Sequence, residues 1–315
     1  MKLIVYHIFC VGDYIDVVNR QISRLISSGL YDWADVIEVS CVDPQDNYFG
    51  IDEVFENLNK VNLLKTDRNH YEWWGINKIW ELSQNNEGQV LYFHTKGVSN
   101  KYLKKDENEI SELKINGIKW WVESLEYFLI DNWTDCVNAL DTNDNCGVTC
   151  INGWWWGNFW WSNLSWVKNN PKPAQGDRWY FENWLNHARQ PKIKEFHHFT
   201  FNPYFSILPD DIYRTNNWFK DKEIDILSAE YGTLGIQQDE GQPYVDKITV
   251  DVTQQVINNF LSNDKKSLFI SANNELNGDP IFGHRKFLLL RLKVDDQILQ
   301  FCINEGMNLN LKFDE

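Results

Sequence analysis

The sequence predicts an α/β domain with a mostly parallel sheet, followed by a small all-β sandwich domain. Three observations predict it. From Leu3 to Ser99, short β-branched and aromatic runs alternate with segments of helical period, the rhythm of a parallel sheet. From Ile224 onward the style changes to short runs separated by Gly, Asn, Asp and Pro, the habit of an antiparallel sandwich. A length of 315 residues also exceeds what one compact core usually holds. The polar Arg214–Lys222 segment marks the junction and places the domains at 1–222 and 223–315.

In chain order, Leu3–Cys10 reads as a first strand, and Ile15, Val18, Ile22, Leu25 and Ile26 recur at helical spacing before Gly29. Val36–Val42 is a second strand closed by Asp43-Pro44, Ile51–Leu58 a short helix and Val61–Leu64 a third strand. Tyr71–Leu82 is a helix with Trp73, Ile76, Ile79 and Trp80 inward. The run from Gln89 is a buried strand that ends abruptly in His94-Thr95-Lys96-Gly97. Lys101–Lys114 reads as a charged loop or exposed helix, Ile118–Phe128 and Asn132–Leu140 as helices, and Gly147–Ile151 as a strand. A helix carrying Leu164 and Val167 and another from Asp177 to His187 complete the first domain. The second has six short strands and one short helix at Gln254–Leu261.

The composition is that of a soluble globular protein, with 43% hydrophobic and 24% charged residues. A net charge of -15 disfavours non-specific binding to nucleic acid or an anionic membrane, while leaving room for a local basic pocket. No run reaches the length of a membrane span, and the N-terminal apolar run lacks the marks of a signal peptide. The six cysteines lie scattered inside apolar runs without C-x-x-C spacing. They read as buried thiols of a reducing, cytoplasmic compartment. Sixteen tryptophans are the anomaly.

Three stretches could carry chemistry. In open α/β sheets ligands bind beyond the carboxyl ends of strands, and His94, Lys96 and Gly97 at such an end suit an anion. The alternative is a strand followed by a solvated turn. The stretch Trp154–Trp161 puts six aromatics in eight residues, broken by Gly157 and Asn158, so a regular element cannot turn them all to one core. Either they pack the interior, or some of Trp154, Trp156 and Asn158 line a groove suited to the apolar faces and hydroxyls of sugars. Arg178 and Glu182 share a helix face. They form an ion pair, or Glu182 serves as a general base, with Asp177 a rival for that task. His197 and His198 offer a donor to a phosphate or pack against Phe199 and Phe201. No H-E-x-x-H, G-x-S-x-G, P-loop or G-x-G-x-x-G occurs, which removes support for the enzyme classes those motifs mark.

Val90–Gly97, Gly157-Asn158-Phe159-Trp160-Trp161 and Arg178–Leu185 with Glu182-Asn183-Trp184, in that order, resemble a family of bacterial and phage glycosyltransferases. That family has a GT-A-type nucleotide-sugar fold and is loosely related to rhamnan-synthesis proteins. Tyr6-His7-Ile8-Phe9 and Asn202-Pro203-Tyr204 add to the resemblance, which spans about residues 1–215. It implies transfer of a hexose or deoxyhexose from a nucleotide-diphosphate donor to a hydroxyl of a glycan acceptor, in polysaccharide biosynthesis. His7 and Asp43 would bound the nucleotide pocket. Lys96, His94 and Arg178 would meet the diphosphate. Trp154, Trp156, Asn158, Trp160 and His197 would contact sugar, with Glu182 or Asp177 catalytic.

Enzymes of that fold usually carry D-x-D where this chain reads His94-Thr95-Lys96. Two arrangements stay open: Lys96 and His94 replace the metal, or Asp43, or Asp141 with Asp144, hold Mn²⁺ or Mg²⁺. The segments Leu227–Thr233, Val250–Thr253, Gly278-Asp279-Pro280 and Lys286–Leu288 resemble the small C-terminal module of some DnaJ-type co-chaperones, which implies an accessory domain that docks a protein. The rival function is a non-catalytic carbohydrate-binding protein using the Trp-rich groove. A third is an adaptor built around the C-terminal domain.

Overall fold

The computed structural model describes residues 1–98, 109–176, 178–209, 212–214, 218–220, 222–234 and 246–312. The chain forms two compact units. One comprises Met1–Tyr102 and Leu125–His198, the other Leu103–Ser124 and Phe199–Glu315. The segments 103–124 and 199–222 thus group with the C-terminal part of the chain.

The first unit begins with β1 (Lys2–Phe9), α1 (Tyr14–Ser27), α2 (Leu30–Trp33), β2 (Val36–Val42), α3 (Ile51–Phe55), β3 (Val61–Thr66), α4 (Trp73–Ser83) and β4 (Gln89–His94). β1 pairs in parallel with both β2 and β4, and β2 with β3. The helix α5 (Glu109–Glu126) follows, then a π-helical turn at Tyr127–Asp131 and α6 (Trp133–Ala139). Next come β5 (Asn145–Gly147), β6 (Cys150–Ile151), β7 (Trp154–Trp155), a 3₁₀ turn at Trp156–Asn158, β8 (Trp160–Asn163), α7 (Leu164–Lys168), α8 (Arg178–His187) and β9 (Ile193–Glu195). The main sheet has seven strands in the order β3-β2-β1-β4-β8-β5-β9. It is mostly parallel, with β8 antiparallel to both of its neighbours.

Each face of the sheet has its own core. On one, Leu3, Val5, Val90, Tyr92 and Trp160 pack with Ile76 and Ile79 of α4, Trp166 and Val167 of α7, and Phe181, Trp184 and Leu185 of α8. On the other, Trp161 meets Trp33 edge-on at 5.2 Å, and its indole N–H donates to the Leu129 carbonyl at 2.9 Å. α1 covers this second face with Val18, Ile22 and Leu25, spaced by four and three residues as the periodicity requires. Its Gln21 is fully buried and accepts a hydrogen bond from Tyr6 Oη at 2.6 Å. Gln21 in turn donates to Glu126 at 2.8 Å, a carboxylate with no exposed surface that also pairs with Arg20 and, at 3.0 Å, with Arg24. Arg24 extends the chain to Asp131 at 2.5 Å. A buried carboxylate is tolerable only when its lone pairs are taken up, and this one has three donors.

The expected strand Gly147–Ile151 is broken in two. Thr149 adopts a left-handed φ of 49°. Its N–H donates to the His197 carbonyl, and its own carbonyl accepts from Trp156 N–H. The ladder is therefore interrupted after β5. Gly147 is required by close approach, because a Cβ there would lie 2.6 Å from the Trp155 ring. The expected helices at 118–128 and 132–140 are real but joined through the π turn. Residues 101–108 of the charged segment lie outside the described residues.

The second unit carries β10 (Ile224–Leu234), β11 (Lys247–Asp251), α9 (Thr253–Phe260), β12 (Ser267–Ser271), β13 (Phe287–Val294), β14 (Gln297–Asn304) and β15 (Asn308–Lys312). The strands form an antiparallel sheet β11-β10-β13-β14 and a separate antiparallel pair β12-β15. Asp251 accepts the Thr253 N–H at 2.8 Å at the start of α9, a helix-entry role. Asp279 pairs at 3.1 Å with the buried Lys286, which also meets Glu305 at 3.2 Å.

Replacing Glu126 by Ala is expected to leave Arg20 and Arg24 facing each other without their shared anion. Arg20 is 40% exposed and can turn to water. The expected cost is therefore about 2–3 kcal/mol, below that of breaking a fully buried pair. Urea unfolding of the variant checks it, with an unchanged midpoint as the contrary result.

Candidate functional site

The strand order turns between β1 and β4, with β2 and β3 to one side and the remaining strands to the other. At such a point the loops leaving the carboxyl ends diverge and open a crevice. Thr95 fastens the two strands there. Its hydroxyl accepts the Phe9 N–H at 2.9 Å, and its N–H donates to the His7 carbonyl at 3.0 Å. The chain then leaves the sheet in a tight turn, Lys96 N–H donating to the His94 carbonyl at 2.8 Å and Gly97 taking a left-handed φ of 88°. Lys96 is thereby held, half-buried, at the mouth of the crevice.

His94 ties this end to the Trp-rich loop. Its Nε2 lies 2.7 Å from the Gly157 carbonyl, which can only accept, so Nε2 carries the proton. Burial first, and then the charge of Lys96, hold the ring's pKa well below 6.5 and keep it neutral. A neutral ring brings no positive charge to this strand end, where Lys96 is the neighbouring cation. His94 positions rather than charges the site. His7, its neighbour on β1, has Nδ1 2.9 Å from Ser40 Oγ, and burial lowers its pKa to about 4. Asp43, beyond β2, accepts backbone N–H groups of Gln45 (2.8 Å), Asn47 (3.2 Å) and Tyr48 (3.0 Å), which shapes the loop at that edge.

On α8, Arg178 Nε and Glu182 Oε1 form the i,i+4 pair at 3.2 Å, with Arg178 48% and Glu182 16% exposed. The segment before α8 is fixed by three indole N–H groups. Trp80 donates to the Asn170 carbonyl, Trp184 to Pro171 and Trp73 to Pro173, at 3.0, 3.0 and 3.2 Å. These tryptophans supply bulk to the core and donors to the carbonyls of an irregular segment.

A carboxylate that the sequence reading passed over joins the group. Glu72 sits at the start of α4, 8% exposed, with Oε2 lacking any hydrogen-bond partner. Burial raises its pKa most, while its own backbone hydrogen bond, Lys96 and Arg178 pull it down and Glu182 pushes it up. Tyr92 Oη and Asn158 Nδ2 are likewise buried without partners. Each such atom costs about 1–3 kcal/mol when left unpaired.

The structure thus brings together His94, Lys96, Arg178 and Glu182, with His7 and Asp43 on the same edge of the sheet. Asp177 lies outside the described residues. Asn158, at φ 56°, is buried and accepts from Trp160 Nε1 at 3.0 Å. Trp160 is buried against Tyr92 at 5.1 Å. Trp154 and Trp156 are half-buried, and Trp154 lies 6.1 Å from the exposed Trp179. His197, after the edge strand β9, is exposed and stacks on Phe128. Two signals explain the residues missed. An acid beginning a helix is ordinarily solvated, and Tyr92 reads as one more apolar strand residue.

As metal ligands, His94, Thr95 and Lys96 are poorly suited: an imidazole already donating, a hydroxyl already accepting and an ammonium are not the oxygen-rich set Mg²⁺ or Mn²⁺ takes. Asp144 precedes β5 at the opposite edge of the sheet, where it accepts the Lys192 N–H at 2.7 Å, and Asp141 is exposed. Among the described residues, no three His, Cys, Asp or Glu side chains are grouped as a metal site. Among the described residues, no helix is long and apolar enough to cross a membrane. The six cysteines are free thiols, five buried and Cys150 half-buried.

No protein-family model matches the chain, and no curated protein matches it. Among solved structures, HddC from Yersinia pseudotuberculosis complexed with GMP-PN is similar over 70% of this chain and 100% of its own, at a TM-score of 0.37 and 12% identity. Likeness at that level bears on neither family nor activity.

A ring that is neutral when folded takes up its proton only on unfolding. Stability is therefore full above pH 6.5, falls as His7 is forced to protonate, and levels off below about pH 4. The span corresponds to about 3 kcal/mol, with His94 acting in the same direction. His7→Asn is expected to remove the His7 part of this slope. Chemical denaturation from pH 8 to 4 measures it, and a variant with the wild-type slope would contradict the assignment.

Proposed function

We propose that this chain is a glycosyltransferase that moves a sugar from a nucleotide-diphosphate donor to a hydroxyl of a glycan acceptor. The observation that carries the reading is the meeting of Lys96 and Arg178 with Glu182 at the switch point of a mostly parallel sheet. In this reading the nucleotide lies along the carboxyl ends of β1 and β2, bounded by His7 and Asp43. Its diphosphate faces Lys96 and Arg178, whose positive charge stabilises the negative charge that builds on the leaving group.

In an inverting reaction the acceptor oxygen bonds to the anomeric carbon and its proton passes to the Glu182 carboxylate. The bond from that carbon to the diphosphate breaks, and its electron pair leaves with the nucleotide. In a retaining reaction Glu182 instead stabilises charge at the sugar or positions the acceptor. Trp179, 57% exposed beside Trp154, supplies an apolar platform for the acceptor glycan. The C-terminal unit serves as an accessory domain for docking a protein.

The same exposed Trp154–Trp179 pair favours the rival reading, a carbohydrate-binding protein without catalysis. Donor use separates the two. Hydrolysis of, or transfer from, a member of a UDP-, GDP- and dTDP-sugar panel is expected. Lys96→Ala is expected to lower kcat/KM by about 10²- to 10³-fold, and Glu182→Gln to lower kcat by about 10²- to 10⁴-fold. Glycan binding with neither binding nor turnover of any nucleotide would sink the transferase.

The metal question has its own assay. With Lys96 in place of a metal ion, activity is expected to survive EDTA. Loss restored by Mn²⁺ or Mg²⁺ would show that a divalent ion is needed.

A further inference from the structure

Three buried polar atoms, Glu72 Oε2, Tyr92 Oη and Asn158 Nδ2, lack hydrogen-bond partners, and their residues are linked through the Tyr92 and Trp160 rings. Gly75 lies one turn into α4 from Glu72, and a Cβ there would stand 3.0 Å from Tyr92 Cε2, so the start of α4 rests on the Tyr92 ring. Trp160 lies against the same ring at 5.1 Å and donates its indole N–H to Asn158 Oδ1, which turns Asn158 Nδ2 away with nothing to bond. Glu72 and Glu182 are both within electrostatic reach of the Tyr92 hydroxyl. Just before Glu72, Tyr71 is held at a left-handed φ of 53°, with its N–H given to Asn69 Oδ1 at 3.0 Å. An aromatic residue in that conformation is uncommon, and its position here is one the surrounding structure enforces. Buried polar atoms in native proteins nearly always have partners. A carboxylate oxygen, a hydroxyl and an amide N–H together offer an acceptor, a group that does either, and a donor.

Resting on the transferase reading above, we infer that Glu72 Oε2, Tyr92 Oη and Asn158 Nδ2 receive the hydroxyls of the donor sugar. The sugar they select is neutral and hydroxyl-bearing, not a uronic acid. A carboxylate accepts from sugar O–H groups, the amide donates to a sugar oxygen, and the tyrosine serves either. Glu72 and Glu182 both act electrostatically on Tyr92, and their carboxyl groups oppose a sugar that carries its own carboxylate. Glu72 is thus a specificity-determining residue, and the diphosphate end is left to Lys96 and Arg178.

The test is calorimetric titration of the full chain with UDP, GDP, UDP-glucose, UDP-galactose, GDP-mannose and UDP-glucuronate. At least one neutral sugar nucleotide is expected to bind more tightly than its bare nucleotide, and UDP-glucuronate no more tightly than UDP. Glu72→Gln is expected to weaken the neutral sugar nucleotide by about 10- to 100-fold while leaving bare nucleotide within about twofold. Tyr92→Phe should act in the same direction. Because Gln keeps the shape and removes a buried charge, thermal melting of Glu72→Gln is expected at or above the wild-type temperature.

Unchanged affinity for the neutral sugar nucleotide in Glu72→Gln, or a wild-type preference for UDP-glucuronate, overturns the subsite and leaves the transferase reading standing. A lowered melt with bare-nucleotide affinity lost in parallel makes Glu72 structural and also overturns the subsite. No binding of any nucleotide by the wild type overturns the transferase reading and the subsite with it.

Discussion

The pairing of β1 with β4 is the constraint on which the rest of the first unit depends. Tyr6 and Phe93 stack at 4.3 Å across this pair on one face, and Val5 and Tyr92 enter the core of the other. A shift of one residue in this register would exchange the two faces. It would also break the bonds that Thr95 makes to Phe9 and His7. Because the strand order turns here, the same pairing that closes the core opens the crevice above it. Lys96 stands in the crevice because β4 ends at His94 and the chain must turn at once.

Tryptophan is the second organising device, and its use is chiefly structural. The loop between β7 and β8 turns through two left-handed residues, Gly157 and Asn158. Trp160 and Trp161 then point to opposite faces of β8, as successive strand residues must. One packs on Tyr92 and the other on Trp33. Elsewhere indole N–H groups hold the carbonyls of residues 170, 171 and 173, just ahead of the helix that carries Arg178 and Glu182. The aromatic density that looks like a sugar groove in the sequence is therefore mostly the scaffold that positions the charges. The exposed exception is Trp179, with half-buried Trp154 beside it.

Around these devices, Arg178 pairs with Glu182, and Lys96, Arg178 and Glu182 all act on the charge of Glu72. Glu126 shows how the fold treats a buried carboxylate with no evident task beyond structure: Gln21, Arg20 and Arg24 all donate to it. Glu72 receives no such treatment, nor do Tyr92 Oη and Asn158 Nδ2. The contrast within one domain is between polar groups that complete the fold and polar groups the fold leaves open.

Much of the architecture was legible in the sequence because hydrophobic period is a local property. The strand Val36–Val42, the helix bearing Val18, Ile22 and Leu25, and the runs that became β10 to β15 follow from residue pattern alone. So does the abrupt end of β4, where polarity changes between Phe93 and His94. Three matters were decided only by tertiary structure. Thr149 broke an apparent strand, because its N–H found the His197 carbonyl instead of a ladder partner. His94 became a neutral donor to Gly157 through burial, which no neighbour in sequence reports. Glu72 was drawn among Lys96, Arg178 and Glu182 from a helix start more than twenty residues away in sequence from any of them. Such charges meet only when distant segments are packed together, and the energies that shift and orient them arise from that packing, not from the local pattern.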